Sequence, residues 1–216
     1  MRTKLIACNM IRDEVALALA NTGVVLETTW VEEGLHNSVE KLGARIQSEL
    51  DASDDFDRVL LAFGMCGNFL KGLRVGDFEL IVPAADDCVT LMLHPHRRGK
   101  ETGVYYLTAG WTRYKGNAWD EEERYIERFG EKKAKRLMSA MFGGYRAVSV
   151  IDTGAFDTAP VEAVGARAAR KFGWERMSDR GSVEWLESLL TGPYDEKFLI
   201  FPPKESIKEE QLIWTT

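Results

Sequence analysis

Short apolar runs, each followed by a stretch of helical periodicity, set the narrowest limit on what this chain can fold into. Residues 4–7, 24–31, 58–63, 78–82, 103–108, 147–151, 174–177 and 197–201 read as strands. Helical spacing of apolar residues covers 12–20, 39–50, 161–172 and 183–190. A long charged helix is expected over 121–142, with Gly130 as a weak point that divides it. Gly23 stands where a helix end needs positive φ, and Ser38 stands where the next helix needs a cap. Strands without a polar face, alternating with helices, need cover on both sides. The expected fold is therefore α/β: a mostly parallel, doubly wound Rossmann-like sheet. Because the second half repeats the βαβαβ order of the first, two lobes are expected, 1–110 and 111–216, with a site in the cleft between them. One continuous sheet is the alternative.

Composition removes several classes of function. Against 34 acidic residues stand 28 Lys and Arg, a net charge of −6, so the surface offers no general attraction to phosphate backbones, and no nucleic-acid partner is expected. No apolar run approaches membrane-spanning length, so no membrane partner is expected either. The N-terminal segment MRTKLIACNMIRDE lacks the apolar stretch and cleavage site of a secretory signal. With three cysteines, that argues for a reducing cytoplasm, where thiols serve chemistry rather than disulfides.

The reactive residues fall in a pattern. Cys8 follows the first strand, His36 the second, Cys66 the third and Cys88 the fourth. Parallel strands bring their carboxyl ends to one edge, where open α/β sheets bind ligands. Three thiolates and an imidazole suit zinc, whereas magnesium and calcium prefer oxygen donors. An iron–sulfur cluster with one non-cysteine ligand is the alternative use, although it normally draws on closer cysteine spacing. Each cysteine alone would also serve as a small core hydrophobe, and no Cys-x-x-Cys pair is present. Shared strand-end placement is what favours a common metal site.

Around these residues, Gly64, Gly67 and Asn68 form a glycine-rich turn that would let a cofactor approach the backbone closely. It matches neither the dinucleotide fingerprint nor the P-loop. Trp111, after the fifth strand, would wall the same pocket. Asp86 and Asp87 precede Cys88 and would orient a ligand, act as a base or cap the next helix. Asp13 and Glu14 suit a helix N-terminus, and Arg12 reads as a solvated cation or an anion contact. His94-Pro95-His96-Arg97-Arg98 reads as an exposed loop.

The segments Ile6-Ala7-Cys8, Gly34-Leu35-His36, Phe63-Gly64-Met65-Cys66-Gly67-Asn68, Asp86-Asp87-Cys88-Val89-Thr90-Leu91 and Tyr105-Tyr106-Leu107-Thr108-Ala109-Gly110-Trp111 together resemble an uncharacterised domain family. Its members occur in methanogenic archaea and anaerobic bacteria, often encoded beside corrinoid-dependent methyltransferases of the trimethylamine and glycine-betaine type. The resemblance maps the family's cysteine and histidine motifs onto Cys8, His36, Cys66 and Cys88. Pro83-Ala84 stands where it implies Pro-Arg. It supplies no settled activity and leaves the catalytic residues unknown. It implies a place in or beside one-carbon metabolism, with a thiol or other small molecule as substrate and a corrinoid protein or methyltransferase as partner. A carrier or chaperone for a metal or corrinoid is the non-catalytic alternative.

Overall fold

A computed structural model describes residues 1–95 and 100–212. Two sheets carry the chain. The first contains β1 (Thr3–Cys8), β2 (Glu27–Val31), β3 (Arg58–Ala62), β4 (Glu79–Pro83) and, from the far end of the sequence, β8 (Phe198–Phe201). Their order is β2-β1-β3-β4-β8, parallel except for β8, which runs antiparallel along β4. Apolar composition explains the centre: after its first residue, each of β1, β3 and β4 is buried throughout. β2 is half-exposed, as an edge strand can be.

The second sheet is β5 (Val104–Leu107), β6 (Ala147–Asp152) and β7 (Glu175–Arg180), all parallel and in sequence order. Its two faces separate by the period of a strand. Ala147 and Ile151 join the main core with Leu5, Ile6 and Val183, while Val148 and Val150 join a smaller core with Leu107 and Ala168. The second face is covered by α7 (Thr158–Phe172), whose Val161, Gly165, Ala168 and Ala169 lie along one side of the helix.

The first sheet is connected by α1 (Arg12–Thr22) and α2 (Val39–Asp51), and α2 buries Leu42, Ile46 and Leu50 at four-residue intervals. Gly23 ends α1 at φ +66°, and the Ser38 side chain accepts from the Lys41 N–H at the start of α2. A short helix α3 (Cys88–Leu93) follows β4, and another, α4 (Ala109–Arg113), follows β5. The long charged helix is two, α5 (Ala118–Phe129) and α6 (Glu131–Phe142), broken where Gly130 adopts φ +76°. The last helix, α8 (Glu184–Thr191), packs beside α1.

The fold is mixed α/β with Rossmann-like sheets, as the alternation of elements implies. Sheet membership does not follow a division at residue 110, because β5 belongs to the second sheet and β8 returns to the first. Residues 24–26 precede β2 rather than belonging to it, and Val25 is exposed. Among the described residues, no helix is long and apolar enough to cross a membrane.

Candidate functional site at the carboxyl edge of the first sheet

The order β2-β1-β3-β4 places successive connections on opposite sides of β1. The crevice between the ends of β1 and β3 is therefore the switch point at which doubly wound sheets bind ligands. Cys8 is the last residue of β1, and its strand neighbour Ala7 pairs with Ala62 of β3. Phe63 to Cys66 follow β3 directly. Cys8, His36, Cys66 and Cys88 line one small cavity here, together with Glu32, Leu42, Phe63 and Gly64. Its volume is about 10 Å3, the room of about one water molecule or a bare ion. A larger hollow of about 360 Å3 lies beside α7, lined by Val148, Glu162 and Arg176 among others, but it contains no thiol or imidazole.

Backbone contacts hold the two cysteine-bearing loops together. The Met65 N–H donates to the Ala85 carbonyl at 2.8 Å, and the Cys66 N–H donates to the Asp86 carbonyl at 2.9 Å. Gly64 is required by this approach: a Cβ there would sit 2.2 Å from the Asp87 Cα. Its glycine thus serves loop-to-loop packing. Cys66 and Gly67 then adopt φ +37° and +81° in a turn closed by the Asn68 N–H on the Met65 carbonyl at 3.0 Å. Gly67 and Asn68 are exposed and stand outside the lining of the cavity.

Asp87 caps α3. One carboxylate oxygen accepts from the Thr90 N–H at 2.9 Å and the Thr90 hydroxyl at 3.1 Å, and the other pairs with Lys100. Cys88 is thereby fixed as the first residue of the helix.

His36 is held from the other side. Gly110 touches the turn after Cys8 so closely that a Cβ would lie 1.7 Å from the Met10 carbonyl oxygen. This contact seats α4 over the His36 loop. Trp111 stacks on the imidazole with ring centroids 6.4 Å apart, and Tyr114 meets it edge-on at 6.0 Å. Asn37 Nδ2 donates to the Tyr114 hydroxyl at 2.9 Å. Trp111 therefore backs the histidine without lining the cavity itself.

Burial shapes the proton affinities. It pushes the Cys8 thiol up to about 12, against an opposing hydrogen bond from the Met10 backbone. The neighbouring Cys88 thiol holds Cys66 below the ordinary thiol value, and Cys66 together with burial raises Cys88 well above it. Burial lowers His36, favouring the neutral imidazole that a metal ion needs.

The four expected ligands thus share one cavity but are not arranged as a finished metal site. Among the described residues, no three His, Cys, Asp or Glu side chains stand as a group able to hold an ion. Glu32 is a wall residue that the cysteine and histidine pattern misses. It directly follows β2 and so shares the carboxyl edge of the sheet, and its other contact is an ion pair with Arg45 at 3.2 Å. Arg12 lies over the Trp30 ring at 4.7 Å. His94 packs against Trp185, away from the cavity residues, and 96–98 fall outside the described residues.

A family model described as "Protein of unknown function (DUF1638)" matches residues 30–190. The chain belongs to that family. The matched span includes His36, Cys66 and Cys88, while Cys8 precedes it. Comparison with curated proteins and with solved structures finds no match.

Proposed function

We propose that this member of the family is a metal-binding protein that takes zinc through Cys8, His36, Cys66 and Cys88. One observation carries the reading. Four soft or borderline donors, from the ends of four different strands, line a single cavity the size of an ion at the switch point of the sheet. Random placement of three cysteines in a core would scatter them across strand and helix interiors. The small volume favours a bare ion over a corrinoid.

Ion binding must draw the donors inward and remove the thiol protons. A divalent ion offsets the cost of burying thiolates, which is why metal binding to such a site expels protons. The neutral imidazole of His36 needs no such step, and Trp111 and Tyr114 restrict its orientation.

When bound, zinc supplies Lewis acidity that lowers the pKa of a coordinated thiol and keeps it nucleophilic. Cys8, Cys66, Cys88 and His36 would hold the ion, and His36 would be the donor that yields to a substrate thiol, as the one neutral ligand, carried on a short turn rather than beside a central strand. On the strength of the sequence resemblance alone, this chemistry is set in or beside corrinoid-dependent methyl transfer, with a thiol or other small molecule as the acceptor. A corrinoid protein or methyltransferase would be its partner.

Elemental analysis of anaerobically purified protein tests the reading. About one zinc per chain is expected, with loss of most of it in Cys8→Ser, Cys66→Ser and Cys88→Ser variants that keep their circular dichroism. Metal-free protein that takes up no zinc when titrated under reducing conditions would overturn it. Brown absorbance with bound iron would assign the thiols to a cluster instead.

A further inference from the structure

The three thiols are unequal neighbours. Cys66 and Cys88 line the same small cavity, and the loops that carry them are stapled by the backbone bonds from Met65 and Cys66 to Ala85 and Asp86. Cys66 is partly exposed, whereas Cys88 is 7% exposed at the base of the same cavity. Cys66 also occupies the left-handed backbone region at φ +37°, which disfavours a residue with a Cβ by about 1–2 kcal/mol. The fold thus keeps a cysteine at a position that glycine would occupy with less strain, next to a second, buried sulfur. An accessible cysteine sharing a small cavity with a buried one, on loops held together by their backbones, is the arrangement of a thiol pair that exchanges with disulfides.

We propose that Cys66 and Cys88 form a dithiol that undergoes exchange with small-molecule disulfides, Cys66 as the attacking sulfur and Cys88 as the resolving one. This assignment does not depend on the metal reading, although it uses two of the same sulfurs. In the first step, deprotonated Cys66 Sγ bonds to one sulfur of the small disulfide. That S–S bond breaks, and its other sulfur leaves with the electron pair as a thiolate that takes up a proton. Cys88 then gives its proton to solvent and attacks Cys66 Sγ, forming the Cys66–Cys88 disulfide and releasing the second small thiol. Two protein thiols are oxidised and one disulfide is reduced to two thiols. Cys8 stays reduced. Because the disulfide consumes two of the four donors, the oxidised form cannot hold zinc as proposed above, and bound zinc would protect the pair.

Reduced, metal-free protein, prepared with a chelator, is treated with oxidised glutathione, and its free thiols and peptide map are read without reduction. Free thiols are expected to fall from the three of the reduced chain to one. A single cross-linked peptide pair should join 66 to 88, with a mass loss of two hydrogens. Cys88→Ser should stop at glutathione bound to Cys66, Cys66→Ser should form no cross-link, and Cys8→Ser should react as the parent does. A cross-link that includes Cys8, a lasting mixed disulfide on the parent chain, or no reaction would overturn the proposal, and the parent's peptide map decides even where a variant fails to fold. Zinc uptake is measured on the same preparations. Uptake without the cross-link would remove the exchange proposal alone, and the cross-link without uptake would remove the metal reading alone.

Discussion

Glu14 makes the stability of this fold depend on pH in a direction opposite to that of a paired carboxylate. It lies in the first turn of α1 and is completely buried. One carboxylate oxygen reaches the Thr153 hydroxyl, beyond the end of β6, at 3.4 Å, and the other has no hydrogen-bond partner. Burial pushes its pKa from 4.5 to about 7, with Asp13 adding to the rise and Arg113 opposing it. The folded chain therefore holds this proton more tightly than the unfolded one does. The resulting stability is complete below pH 4.5, declines as the unfolded carboxyl ionises, and is lost above about pH 7. At about 1.4 kcal/mol per pH unit, the separation of the two values amounts to roughly 3 kcal/mol. That is a large part of the stability of an ordinary domain. Urea unfolding of the parent chain and of Glu14→Gln, at matched ionic strength between pH 4.5 and 8, isolates the effect. Other titrating groups, His36 among them, cancel in the difference. The parent should lose about 3 kcal/mol relative to the variant across this range. A difference that stays flat, or that grows in the parent's favour as pH rises, would refute the claim that the buried carboxyl is neutral in the fold.

Other expectations follow from contacts at the site. Gly110→Ala would drive a Cβ into the Met10 carbonyl oxygen, so a loss of about 1–3 kcal/mol is expected in thermal or urea unfolding. The same variant should expose Trp111 as α4 lifts from the His36 loop, seen as a red shift in tryptophan emission. Asp87→Ala removes the cap of α3 and the partner of Lys100, a cost of about 1 kcal/mol, and should weaken zinc binding by loosening Cys88. Zinc affinity should rise more than tenfold per pH unit near neutrality, because protonated thiols, Cys8 with a pKa of about 12 among them, must lose their protons to bind. Calorimetry in buffers of different ionisation enthalpy would report that proton release. A pH-independent affinity would contradict the thiol ligation.

The shared carboxyl-edge placement was legible in the sequence because it rests on a local rule: a reactive residue at the end of an apolar strand, or in the first few residues of the loop after it, stays at that edge however the strands are ordered. Cys8, Cys66, Cys88 and His36 needed no knowledge of the sheet. The separation into two sheets did need it. The run at 103–108 looks like those before it, and only its partner β6 assigns β5 to the second sheet. β8 reads the same in either direction, and its antiparallel course along β4 is set by the route of the chain after α8. Glu14 was hidden for a related reason. Beside Asp13 it looks like a second acid at a helix N-terminus, but it shares a helix face with Ala18, and that face is buried. Spacing carries the clue, while the acidic side chain disguises it.

Charge decides how the cavity would accommodate an ion. Three enclosed thiolates without a cation would be expensive, and burial holds Cys8 and Cys88 in the protonated form. One divalent zinc with three thiolates and a neutral imidazole leaves a single net negative charge. Lys100, paired with Asp87 beside Cys88, supplies nearby positive charge. Glu32 and Glu33 stand on the Cys8 side, Glu32 paired with Arg45 and Glu33 accepting from Asn9 at 2.6 Å. Lys100 is a cation whose charge reaches Cys66 and Cys88, against the opposing Asp86 and Asp87. A substrate thiolate entering beside these sulfurs would be held in part by that lysine. Lys100→Glu should then reduce affinity for a thiol substrate more than affinity for zinc, and equal loss of both would show that the lysine acts only through the metal.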